Sequence, residues 1–188
     1  MNKIKLGPRN SLYPSLTTLV GTVVDGRPNF ITIAHVGIMT MKLISFGIGK
    51  SHYSNQGIRE NGCFSVNIPS EELVVKTDYC GLVSGRKEDK SALFDIFSGE
   101  LEGAPMISEC PINMECRLER TIETPTHDVF VGEVMETYVN ENLIEADKVD
   151  ISQLKPLLFD MSSRKYWSLG PEIAKCWSVG NELKGTEE

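Results

Sequence analysis

No C-x-x-C pair, no excess of positive charge and no apolar run of membrane-spanning length occur in this chain of 188 residues, and each absence removes a class of protein. Five cysteines (Cys63, Cys80, Cys110, Cys116, Cys176) are an odd number at spacings that suggest neither a disulfide framework nor a structural zinc site, so reduced thiols in a cytoplasmic protein are the simpler reading. The three histidines, His35, His52 and His127, show no paired ligand spacing, and no metal is expected. A net charge of -7 argues against general nucleic-acid binding, which needs many cationic contacts to phosphate, but leaves room for one phosphorylated ligand. No membrane segment is expected. Lys3 and Lys5 precede the apolar stretch Leu16 to Val24 as in a signal peptide, but Pro14, Thr17-Thr18 and the lack of a small-residue cleavage motif argue against one.

What is present is an ordinary globular composition, 40% hydrophobic and 24% charged. It implies one domain over residues 1–180, followed by a polar, mobile tail, 181–188. Leu16 to Val24 and Asn29 to Ala34 read as a hairpin about Asp25-Gly26 with a slightly long connection. Lys42 to Ile48 is a third strand. Ser51 to Asn61 is a short helix stopped by Gly62, and Cys63 to Ile68 returns to strand. Ser70 and two acids open a helix that runs to about Tyr79; Cys80 to Ser91 reads as loop, with a helical turn near Asp89 to Phe94. Ile112 to Thr121 and Thr126 to Val139 form a hairpin about Glu123-Thr124-Pro125, in which Gly132 marks a bulge or a close backbone approach. Lys175 to Val179 is read as a last strand. Without strict alternation of strand and helix, an antiparallel barrel with inserted helices is expected rather than a doubly wound sheet.

The turn from Gly47 to Ser54 leaves a strand and enters a helix, where unpaired backbone N–H groups suit a phosphate. Gly49-Lys50-Ser51 matches the end of a nucleotide-binding P-loop, but the glycine required five positions earlier is Ile44, inside a strand. Gly47-x-Gly49-x-x-His52 likewise lacks the third glycine of a dinucleotide fingerprint.

Four groups of residues, taken together, carry a different resemblance. Pro28-Asn29-Phe30-Ile31-Thr32-Ile33-Ala34, then Lys50-Ser51-His52-Tyr53-Ser54 leading to Gly62-Cys63-Phe64-Ser65-Val66-Asn67, then Ser84-Gly85 with Asp89-Lys90, then His127-Asp128-Val129-Phe130-Val131-Gly132-Glu133-Val134 resemble, in order and spacing, the flavin reductase-like, FMN-binding split-barrel family that includes the flavoredoxins. The resemblance implies a mainly β protein with flanking helices, a six-stranded antiparallel split β-barrel, a homodimer, and FMN near the dimer interface. It implies that Ser51, Tyr53 and Ser54 bind the FMN phosphate with help from Lys50 or Lys90. The strand holding Asn29, Thr32, Ile33 and Ala34 would meet the flavin ring, with Ser84 nearby. Lys90 is the candidate for a positive group that favours the reduced flavin, and His127 for a catalytic position near flavin or nicotinamide. The family usually has threonine where Ser54 stands; serine keeps the hydroxyl. Cys80 reads either as a redox thiol or as a small buried apolar residue.

The expected activity is therefore an NAD(P)H-dependent flavin reductase, with NADH or NADPH as donor and free flavin, a protein or a small molecule as acceptor. The competing readings are a flavoredoxin-type FMN electron carrier without an efficient nicotinamide site, and a ligand-sensing or haem-binding split barrel.

Overall fold

The structure, a computed structural model, describes residues 1–184. One antiparallel sheet is built from β1 (Thr18–Val24), β2 (Arg27–Ile33), β3 (Val36–Ile38), β4 (Leu43–Gly49), β5 (Cys63–Ile68), β6 (Ile112–Glu123) and β7 (His127–Val139). Its strand order is β2-β1-β5-β6-β7-β4-β3. The sheet curls until Ile31 and Ile33 of β2 share one buried cluster with Ile44, Phe46 and Ile48 of β4, around Phe64, Val66, Cys116 and Phe130. Phe46 packs on Phe64 and Phe130 with ring centroids 5.0 and 5.8 Å away. β2 and β4 are not hydrogen-bonded to each other, so the barrel is split along that seam. The six strands that the resemblance implies are all there. The short β3, too brief to show a period, adds a seventh at the β4 edge.

Local chemistry sets the elements. The β1–β2 connection is shorter than expected, only Asp25 and Gly26, with Val24 paired to Arg27. Both turn residues have positive φ (50° and 74°), the geometry whose twist suits a two-residue hairpin. Helix α1 (Tyr53–Asn61) starts at His52 without a side-chain cap and stops at Gly62, φ 62°. Helix α2 (Val74–Leu82) follows a 3-10 turn, Glu71–Leu73, before which Ser70 makes no side-chain cap. It runs past Tyr79 and absorbs Cys80, Gly81 and Leu82, which read as loop. A distant residue explains the extension: the Lys90 ammonium donates to the Cys80 and Val83 carbonyls, both at 3.2 Å, and so caps the helix end.

The β6–β7 hairpin has register breaks at Val131/Gly132 and Val134/Glu136. Gly132 proves to be both a bulge and a close approach, since a Cβ there would run into the Phe64 ring. Farther on, β8 (Leu158–Asp160) and β9 (Lys165–Trp167) form a small sheet with Ser15–Leu16. Lys175 to Val179 is not the strand expected: it lies exposed in a turn that leads into the 3-10 segment Val179–Leu183. Of the tail expected over 181–188, residues 185–188 lie outside the described residues. No described helix is long and apolar enough to cross a membrane.

Because Phe64 is fully buried and cannot yield, Gly132→Ala should destabilise the protein by about 1–3 kcal/mol. A thermal melt followed by circular dichroism measures it as a lowered Tm.

Candidate functional site

Two neighbouring cavities lie beside β2, at the start of α1 and the end of α2. The first, about 270 Å³, is lined by Asn29 and Ile31 of β2, by Ser51 to Ser54, by Cys80 to Gly85, and by Lys90. The second, about 240 Å³, is lined by Thr17, Thr32, Ile33, Ala34, His35, Gly47, Gly81, Phe159, Met161 and Tyr166. Gly81 borders both. Joined, they fall in the range of about 300–1,000 Å³ usual for small-molecule sites.

The first cavity is electropositive in its fixed groups. At the α1 N-terminus the Asn55 amide reaches the His52 carbonyl (3.1 Å), whereas the amides of Tyr53 and Ser54 have no acceptor among the described residues. Lys90 is only 3% exposed, and among the described residues no carboxylate pairs with it. Burial lowers its pKa below the ordinary lysine range, against a smaller opposite pull from Cys80. Asn29, also buried, donates to Ser54 Oγ at 2.7 Å, while its Oδ1 has no donor. The Ser84-Gly85 loop closes onto that same oxygen, and only glycine fits, since a Cβ at residue 85 would collide with it. Buried groups left without partners are the mark of a site that a ligand completes.

The second cavity has no carboxylate, lysine or arginine in its wall. Thr32 donates its hydroxyl to the Thr77 carbonyl. The Thr17 hydroxyl is fully buried without a partner. Tyr166 donates to Asp78 at 2.9 Å, tying β9 to α2, and burial together with that hydrogen bond pushes its pKa up to about 12. The pair of cavities therefore suits a ligand with an anionic end at α1 and a flat, uncharged portion along Thr32 to Ala34.

Of the residues expected to form a site, the structure brings Asn29, Ser51, Tyr53, Ser54, Ser84 and Lys90 to the first cavity, and Thr32, Ile33 and Ala34 to the second. Asn29 and Lys90 thus stand with the turn expected to take the phosphate and not with Thr32, Ile33 and Ala34. The Tyr53 hydroxyl is turned away to Asp25 at 2.7 Å. Lys50 also faces elsewhere, 3.6 Å from both Glu123 and Asp128. His127 is exposed and lines neither cavity; its Nδ1 meets Thr126 Oγ1 at 2.8 Å. Cys80 lines the first cavity, but burial pushes its thiol up to about 11, which favours the packing reading over a reactive thiol. His52, Thr17, Phe159, Met161 and Tyr166 join the walls without having been marked as site residues. Of these, only His52 sat inside a motif.

Asp128 aims the turn. Its carboxylate is buried in β7 and accepts from Asn55 Nδ2 (2.8 Å) and from Arg59 Nε (3.2 Å), with Lys50 beside it, so α1 is fastened to the β6–β7 hairpin. Burial alone would raise its pKa; Asn55, Arg59 and Lys50 outweigh that and hold it below the usual carboxylate range.

Comparison with known proteins places this arrangement. A model described as the flavin reductase like domain matches residues 10–168. The solved flavoredoxin from Methanosarcina acetivorans is 43% identical, with a TM-score of 0.93 over 97% of this chain and 100% of that one. Flavoredoxin of Desulfovibrio vulgaris (Miyazaki F) is 36% identical, with a TM-score of 0.88 over 95% and 100% of the two chains. An uncharacterized protein of Archaeoglobus fulgidus is 35% identical over 128 residues, 66% of this chain and 72% of that relative.

A carboxylate whose folded pKa is depressed stabilises the fold above its unfolded pKa, and that stabilisation is lost as pH falls through the folded value. Asp128→Asn should therefore lower stability by about 1.5–3 kcal/mol near neutral pH. The gap between the two Tm values should close on acidification below the ordinary aspartate range, as followed by denaturation at stepped pH.

Proposed function

The chain belongs to the flavin reductase-like family, and from that premise we propose that it holds FMN and works as an oxidoreductase, with NADH or NADPH as donor and free flavin, a protein or a small molecule as acceptor. The observation that carries this reading is the buried, carboxylate-free ammonium of Lys90 beside the open amides of α1. The two flavoredoxins, 43% and 36% identical over nearly the whole chain, support the choice of flavin.

The residues fit the cofactor. The Tyr53 and Ser54 amides with the Ser51 hydroxyl would hold the phosphate, and Lys90 would supply countercharge. Asn29 Oδ1 would accept from an N–H or hydroxyl of the ligand. Thr32 to Ala34 and Gly81 would line the ring. When bound, FMN supplies the hydride-accepting and electron-donating chemistry, so the chain needs no strong acid or base of its own. The part left to these residues is to bind, orient and keep water from the ring. His127, exposed and outside both cavity walls, is proposed to meet the donor.

A second reading has a specific observation in its favour: both of those solved relatives are named flavoredoxin, which favours an FMN electron carrier without an efficient nicotinamide site.

Purified protein should be yellow and release FMN on denaturation; colourless protein that takes up no added FMN overturns the reading. Lys90→Gln should weaken FMN binding roughly 10–100-fold, the worth of a charged hydrogen bond. Since a lysine of lowered pKa loses its charge below the ordinary range, wild-type affinity should fall on alkalinisation before an ordinary lysine would titrate, and Lys90→Gln should lack that fall. Anaerobic addition of NADH or NADPH then separates the two readings. Rapid bleaching, with KM for the donor raised in His127→Ala at unchanged FMN affinity, marks a reductase; persistent colour marks a carrier.

A further inference from the structure

The β8–β9 hairpin has two faces, and only one of them looks onto the cavities described above. Its register sets Phe159 opposite Tyr166 and Leu158 opposite Trp167. Successive strand residues turn to opposite sides. Phe159 and Tyr166, with ring centroids 5.9 Å apart, therefore wall the second cavity. Leu158, Asp160 and Trp167 line a different space, a groove of about 560 Å³ between the hairpin and the segment Asn10 to Pro14. That volume is of the size usual for small-molecule sites. Tyr13 joins the two spaces: it lines the groove, while its hydroxyl lies 2.7 Å from His35 Nε2 and its ring meets Phe159 edge-on with centroids 6.3 Å apart. His35 and Phe159 both belong to the wall of the second cavity, so a molecule in the groove is separated from one in that cavity by a single layer of contacting side chains.

The chemistry of the groove selects its occupant. Trp167, 52% exposed, and Tyr13 give it aromatic surface, Leu158 and Pro14 give it apolar surface, and Ser11 and Ser168 add hydroxyls. Aromatic side chains with polar neighbours favour a flat ring that stacks and hydrogen-bonds at its edge. No lysine, arginine or histidine stands in this wall. Its one charged side chain is Asp160, which accepts hydrogen bonds from the hydroxyls and backbone amides of Ser162 and Ser163. Those bonds push its pKa down to about 2, so the carboxylate stays ionised and turns anions away. An uncharged aromatic ring suits these walls, and a phosphorylated ligand does not.

We propose that this groove binds the electron acceptor, a flat, uncharged aromatic ring of the quinone or unphosphorylated flavin class, and that Tyr13 and His35 form the contact between it and the flavin. In this step the reduced flavin anion is oxidised and the acceptor ring reduced: two electrons cross, and the one proton released with them, together with a second from solvent, completes the reduced ring. The role as acceptor site rests on the flavin reading above; the groove as a ligand site does not.

Equilibrium dialysis of the FMN-saturated protein tests the groove with two probes, riboflavin and 2,3-dimethyl-1,4-naphthoquinone, a quinone with no open position for thiol addition. At least one should be retained at one per chain, and the one retained names the ring. Anionic counterparts should be refused: the 6-sulfonate of the same quinone should bind at least tenfold more weakly, and FMN should be retained at one per chain and not two. In a Trp177→Phe background, where Trp167 is the remaining tryptophan, a retained probe should quench its emission with the same saturation. Trp167→Ala and the groove-filling Ser168→Trp should each weaken retention at least tenfold at unchanged FMN affinity and unchanged strand content. After reduction of the bound flavin by dithionite, its reoxidation by subsaturating probe in anaerobic stopped flow should slow at least tenfold in both variants. Retention of neither ring overturns the site, as does retention that either folded variant leaves unchanged; equal retention of the anionic counterpart overturns the uncharged class. If the protein takes up no FMN, the flavin reading and the acceptor role fall, while retention and quenching in the flavin-free protein still decide the groove. If the ring is held but the variants reoxidise reduced flavin as fast as wild type, only the acceptor role falls.

Discussion

A single buried carboxylate, Asp128, governs the direction in which α1 presents its N-terminus. It stands on β7, directly across the ladder from Ile48 of β4, and it takes hold of Asn55 and Arg59 one and nearly two turns into the helix. The strand that leads into the turn and the helix that leaves it are thus fixed to the same hairpin. Arg59 also reaches Glu123 at 2.9 Å, so the clamp extends to the partner strand β6. The two unsatisfied amides of the first helical turn owe their orientation to this arrangement.

The opposite wall follows a different rule. The end of α2 is closed by Lys90 from a loop ten residues away in sequence from Cys80, and a positive charge is thereby brought into the protein by backbone carbonyls alone. A helix C-terminus stabilises a cation only in part. The site therefore keeps one buried positive charge, with no carboxylate paired to it among the described residues, in a chain that is acidic overall, and this separation of local from global charge is what composition could not reveal.

Strand identity was legible because it depends on short-range alternation: Cys63 to Ile68, the β6–β7 hairpin and the Gly62 stop follow from neighbours in the chain. The turn after Gly49 was legible for the same reason. What was not legible shares a cause. Lys50 and Tyr53 read as phosphate ligands in their motif, and in the structure Asp128 and Asp25 engage their functional groups from 78 and 28 residues away. The end of α2 depended on Lys90. Lys175 to Val179 has strand-like residues with no sheet edge to join. Phe159, Met161 and Tyr166 reach the second cavity because the β8–β9 sheet packs beside it, a tertiary event with no local signature.

The ammonium of Lys90, bonded to two carbonyls but facing no carboxylate among the described residues, is buried at a cost in solvation. Any anion that settles beside it relieves that cost only in the folded state, so occupancy and persistence of the fold are linked quantities: a ligand present at a hundredfold its Kd adds about 2.7 kcal/mol. Were a flavin that anion, the lifetime of the chain in a cell would follow cofactor supply. Molecules made when the ligand is scarce open more often, and are the ones exposed to proteases.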